Sequence, residues 1–144
     1  MHHEESRDAF QKSSISAEAA RRIIATGEEK ARKMNLSVSL AVYDADGTLK
    51  AFSRMDGAPL LSVQWSQDKA YTAASSGRPT HEWWDLVKDD EVLLHGIIKT
   101  DRLIVFGGGY PITIAAGVVV GGIGVSGGHY EEDMLVAEAA LAGL

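Results

Sequence analysis

Apolar positions along the chain fall into two periods. After Ser16, residues Ala20, Ile23, Ile24, Gly27 and Ala31 recur at helical spacing. This predicts an amphipathic helix with Ser16 as N-cap and Glu18 in its first turn, ending near Met34-Asn35. The period then changes to two: Val38, Leu40 and Val42 alternate with Ser37, Ser39 and Ala41 up to Asp44, the pattern of a half-buried strand. Asp46-Gly47 predicts a type I′ hairpin turn, with Leu49 to Arg54 as the returning strand. Asp56-Gly57-Ala58-Pro59 breaks the pair and opens a helix from about Leu60 to Ser75, which Ser76-Gly77-Arg78-Pro79 closes. Thr80 is placed to cap a short helix carrying His81, Trp83, Trp84 and Leu86, and Asp89 to Gly96 forms another short helical or irregular piece. Three strands are then expected, Arg102 to Phe106, Ile112 to Val120 and Ile123 to Val125. A final helix from His129 places Tyr130, Met134, Ala137 and Leu141 on one face, with Glu131, Glu132 and Asp133 in its first turn.

The chain has 144 residues, enough for one domain with a buried core. The expected division is a flexible tail over residues 1–15 and one domain over 16–144. Hydrophobic residues make up 45% and charged residues 24%, which excludes wholesale disorder. There is no cysteine, so disulfides, thiolate metal sites, iron–sulfur clusters and thiol nucleophiles are excluded. A net charge of −6 argues against a nucleic-acid partner, which needs a basic footprint. Between Arg102 and His129 no residue carries a formal charge, a length that could cross a membrane as a helix. Its nine glycines, Pro111 and many Val and Ile instead suit buried strands, so no membrane partner is expected. The polar start, Met1-His2-His3-Glu4-Glu5, carries no export signal, and the protein is expected to be cytoplasmic.

Two catalytic motifs fail on context. Gly122-Ile123-Gly124-Val125-Ser126-Gly127 matches the dinucleotide fingerprint, but the following strand and its acidic residue are missing. Gly124-Val125-Ser126-Gly127-Gly128 matches a hydrolase elbow, yet only His129 and Asp133, both at one helix start, follow the serine. Small residues that allow close packing explain the segment better.

Five motifs in order carry a resemblance: Arg54-Met55-Asp56-Gly57-Ala58, Lys69-Ala70-Tyr71-Thr72-Ala73-Ala74, Pro79-Thr80, Phe106-Gly107-Gly108-Gly109-Tyr110-Pro111 and Gly121-Gly122-Ile123-Gly124-Val125-Ser126-Gly127-Gly128. Over about residues 16–143 the chain resembles the GlcG/HbpS family, which includes the PduO C-terminal domain. The resemblance implies an α+β, profilin-like fold, a five-stranded antiparallel sheet with helices packed on it, assembled as a homo-oligomer. It also implies a haem-binding or small-ligand-binding role, with haem as the possible cofactor. His81, the tryptophans after it and His129 depart from the usual family pattern.

Without cysteine, haem iron needs His, Met or Tyr. His81 sits at a helix start beside Trp84, a flat apolar wall suited to a porphyrin or an aromatic acid, and is the expected iron ligand if haem binds; otherwise it is a solvent-facing residue with the tryptophans in the core. His95 reads as a buried, hydrogen-bonded histidine. An alternative function is a cofactor-independent lyase, hydratase or tautomerase acting on a small unsaturated carboxylic acid. In that reading Arg54 clamps the carboxylate, His129 moves a proton and Asp133 orients its imidazole. Local roles compete: a His–Asp helix cap for His129, and pairing with Asp56 or Asp44 for Arg54. Gly107, Gly108 and Gly109 either line the ligand site or form a strand-end turn. No protein metal cage is expected, since His129-x3-Asp133 supplies only two ligands.

Overall fold

A computed structural model describes residues 7–144. The polar start at Met1–Glu5 lies outside the described residues. The expected tail is tied down well before residue 16. Lys12 pairs with Asp46, Ser14 accepts the Ala45 N–H, and Ile15, 5% exposed, donates to the Val120 carbonyl.

Ser16 caps α1 (Ala17–Lys33) by accepting the Ala19 N–H, as its position predicts. Then come β1 (Ser39–Asp44), β2 (Leu49–Arg54), α2 (Leu60–Ser76), the short α3 (Glu82–Val87) and α4 (Glu91–Ile97), β3 (Gly109–Ile114), β4 (Val118–Ser126) and α5 (Tyr130–Ala140). The sheet is antiparallel and has four strands in the order β2-β1-β4-β3.

The α+β architecture is as expected, but among the described residues the sheet has four strands, and the expected strand Arg102 to Phe106 does not form. Arg102 to Phe106 runs beside α2, where the Thr72 hydroxyl donates to the Arg102 carbonyl and accepts the Ile104 N–H. Those backbone groups are satisfied by a helix side chain and need no ladder. The expected strand Ile112 to Val120 is instead a hairpin, turning at Ala115-Ala116-Gly117 with Ala116 at φ 64°. The first hairpin turn differs too. Only Gly47 has positive φ, its N–H bonds the Asp44 carbonyl, and the Asp44 carboxylate accepts from Asp46 and Thr48. This is a type I turn closed by a left-handed glycine, not type I′.

Strand β1 is buried on both faces, because helices cover both. Val38, Leu40 and Val42 join Ala20 and Ile23 of α1 and Val136 and Ala137 of α5 in the main core. On the opposite face Ala41 and Tyr43 meet Ala70 of α2. Helix α2 lies close to the sheet because small residues face each other: Ser62, Ser66, Ala70 and Ala73 on the helix, Gly122 and Gly124 on β4. The charge-free stretch is the β3–β4 hairpin, and no helix among the described residues is long and apolar enough to cross a membrane.

Candidate functional site

At the end of the sheet where β3 begins, four segments meet around Gly107–Gly109. All three glycines are buried. A Cβ on Gly107 would overlap the Met134 thioether of α5, and one on Gly109 would stand 2.6 Å from the Thr80 methyl. The Gly108 carbonyl accepts the Val125 N–H at 2.9 Å. The Gly109 N–H donates to Thr80 Oγ1 at 3.0 Å, and its carbonyl accepts the Thr80 N–H at 2.9 Å. Close approach therefore serves the chain's own packing, and Thr80 clasps the strand start instead of capping α3.

Beneath this turn lies a buried ion pair. Lys69 of α2 and Asp133 of α5 are 1% and 2% exposed at the side chain, with Nζ and Oδ2 3.1 Å apart. Lys69 also donates to the Val125 carbonyl at 2.8 Å and lies 5.3 Å from the Phe106 ring centre. Asp133 Oδ1 accepts the Gly128 N–H at 2.9 Å. Burial pushes the Asp133 carboxyl up and the Lys69 ammonium down, while each partner's charge opposes the shift. The pair ties both helix layers to the end of β4. The sequence pattern assigns Lys69 no role of its own, and its signal is a single cation inside the small-residue stripe Ser62, Ser66, Ala70 and Ala73.

Asp133 therefore does not orient the His129 imidazole. His129 caps α5: its Nδ1 accepts the Glu131 N–H at 3.2 Å, and the Glu132 carboxylate accepts the His129 N–H at 2.9 Å. The exposed ring stacks on Tyr130, with centres 4.2 Å apart. His129→Ala is expected to cost about 1 kcal/mol, the usual worth of an N-cap, read from urea midpoints.

Arg54 is engaged elsewhere. Its Nε and Nη2 both donate to the Ala58 carbonyl, at 3.1 and 2.6 Å, and neither Asp56 nor Asp44 takes it. It sits on β2 at one edge of the sheet, while Gly109 sits on β3 at the other. Three strand spacings separate those edges, about 14 Å. The structure thus brings Gly107 against the start of α5, but leaves Arg54 apart from both.

His81 sits on the other side of the glycine turn. It occupies the N-cap position of α3 without a side-chain capping bond, its ring 5.7 Å from that of Tyr110. Its Nδ1 is shielded and unpartnered, whereas Nε2, also without a hydrogen bond, is not shielded. Trp84 is 53% exposed, and Leu86, Val92 and Ile98 are exposed with it, so this tryptophan is not core. His95, expected to be buried, is exposed on α4. Among the described residues no three His, Asp or Glu side chains cluster as metal ligands. An open groove of about 620 Å³ lies at the opposite end of the sheet, between Gln11–Ser13 and Ala45, Val118 and Val119.

Comparison with known proteins bears on the same chain. A family profile described as haem degrading protein HbpS-like matches residues 15–142. Protein GlcG of Escherichia coli is 38% identical over 112 residues, 78% of this chain and 81% of GlcG. The corrinoid adenosyltransferase PduO of Salmonella typhimurium is 35% identical over 118 residues, 81% of this chain but only 34% of PduO, so the chain spans about a third of that protein. A crystal structure of a PduOC:heme complex superposes with a TM-score of 0.82, at 31% identity, covering 91% of this chain and 95% of the other. With the profile spanning nearly every element from Ile15 to the end of α5, this chain belongs to the HbpS-like family.

Proposed function

We propose that this protein is a haem-binding, small-ligand-binding cytoplasmic homo-oligomer in which His81 ligates the iron. The carrying observation is the His81 imidazole, which makes no hydrogen bond, keeps Nε2 unshielded and lies 5.7 Å from the Tyr110 ring, three positions before the exposed Trp84. The relative solved with haem, similar along nearly its whole length, supports the same reading. Histidine is an ordinary axial ligand, and this chain has no cysteine to compete with it. Haem would supply an iron centre whose redox potential and ligand affinity are set by the axial group. Trp84 and Leu86 would offer a porphyrin face its apolar contact. Exposed Trp84, Leu86, Val92 and Ile98, with Ile114 and Val118 at the hairpin tip, support assembly with further copies.

Titration with haem is expected to give a Soret band that His81→Ala shifts or abolishes while the far-UV circular dichroism stays native. An unchanged spectrum in both His81→Ala and His129→Ala would reject histidine ligation. Light scattering at micromolar concentration should show at least a dimer; a 15.4 kDa species would reject assembly. The acid–base alternative has less support, since Arg54 is held by Ala58 and Asp133 by Lys69.

A further inference from the structure

Among the described residues, two buried side-chain polar atoms lack a hydrogen-bond partner, and they sit two positions apart: His81 Nδ1 and Trp83 Nε1. An N–H shielded from water without an acceptor is costly, and native folds rarely leave one. A third group in the same stretch is also unpaired. The half-buried Arg78 guanidinium lies 5.7 Å over the Trp83 ring and makes no hydrogen bond or ion pair with a described residue. Glu82 is four positions away, yet it does not take the guanidinium.

The stretch is anchored at its start. The Arg78 N–H donates to Ser76 Oγ, and Thr80 is clasped to Gly109. Within six residues it therefore carries a permanent cation, an indole donor and an imidazole, none of them engaged by an acceptor among the described residues. We propose that Arg78, His81 and Trp83 form a carboxylate-binding site that takes the acid group of a small organic ligand. A guanidinium matches the two carboxylate oxygens in a fork, and the indole N–H supplies a further, charge-assisted bond. Access is not blocked by deep packing. Over residues 82–98 only Val87 and Ile97 are buried, so α3 and α4 can shift with little loss of core contact. The inference rests on the His81 site of the haem reading for its location, where the carboxylates of haem are one source of the acid group; it does not require iron.

Benzoate, with benzamide as a neutral probe of the same shape, tests it by calorimetric titration of the full chain. Benzoate should bind saturably and at least about tenfold tighter than benzamide, a difference of about 1.4 kcal/mol. Arg78→Gln and Trp83→Phe, the second keeping an aromatic ring while removing the N–H, should each weaken benzoate by about that factor. Absence of saturable benzoate binding, equal affinity for both probes, or undiminished binding in both variants would overturn the proposal. A parallel haem titration keeps the two readings apart. Benzoate binding without a Soret band sinks the haem reading alone, and a His81-dependent Soret band without benzoate binding sinks this one alone.

Discussion

Lys69→Met is expected to destabilise the fold by about 3–5 kcal/mol, the usual cost of removing one member of a buried ion pair. The methionine fills much the same space, so the loss is electrostatic. Asp133 stays 2% exposed with one remaining bond, from the Gly128 N–H, and the Val125 carbonyl loses its lysine donor. The pH dependence follows from direction alone. Burial raises the Asp133 carboxyl above its ordinary 3.8. A carboxyl raised in the folded state contributes stability that is complete below the unfolded value and is lost as pH rises through the folded one. Lys69, lowered by burial, behaves in mirror image: its contribution is complete above the unfolded value of about 10.4 and is lost as pH falls through the lowered one. Without Lys69 only the Gly128 N–H opposes the rise at Asp133. The variant's deficit should therefore shrink in acid, at about pH 4.5, and be largest near about pH 7.5. Urea midpoints at the two values decide it; a deficit that is constant or grows in acid would show that Asp133 does not carry the effect.

Gly124→Ala should be comparably damaging for a steric reason. The added Cβ would stand 2.5 Å from the Ala70 nitrogen and closer still to the Ser66 carbonyl oxygen, both backbone atoms of α2. A flexible side chain could swing away from such a contact, but a helix backbone has to translate. Overpacking typically costs about 1–3 kcal/mol and occasionally more, and two backbone obstacles place this site at the upper end. Translation of α2 would also draw Lys69, beside Ala70 in the chain, away from Val125 and Asp133. The control is Gly96→Ala on α4, where nothing lies within 4 Å and replacing a helical glycine should gain about 0.5–1 kcal/mol. Thermal melts of the two variants should move in opposite directions. A Gly124→Ala chain that melts with the wild type would mean that α2 and β4 tolerate separation.

What was legible in the residues is what depends on local period and local chemistry. The α1 stripe, its Ser16 cap and the β1–β2 pair needed nothing beyond neighbouring positions. Arg102 to Phe106 misled because Val, Ile and Phe favour strands, while its backbone partner, the Thr72 hydroxyl, lies thirty residues away and leaves no local trace. The β3–β4 turn was hidden because Ala116 takes the left-handed conformation that glycine or asparagine ordinarily marks. At the site, the role of His129 as a local cap was readable from its place at a helix start. That of Asp133 was not, since an acid in a first helical turn has an adequate local explanation and its true partner is on α2. Both faces of β1 being buried likewise depends on where α2 lands, which alternation along one strand cannot reveal.

The clasp between Thr80 and Gly109 also governs how the molecule avoids sticking to itself. Strand β3 is an edge, and exposed edges recruit strands from other chains in a runaway fashion. Along this strand alternate residues face β4 and the outside. Gly108 bonds inward to Val125, which turns Gly109 and Pro111 outward. The first outward amide is already spent on Thr80 Oγ1, and the next residue has none to offer because it is proline. Only beyond the irregularity after Ile112 does a free outward donor return, near the hairpin tip. A stub of that length cannot template a cross-strand ladder, so an uncharged, Val- and Ile-rich hairpin is kept from seeding fibrils by one hydroxyl and one ring.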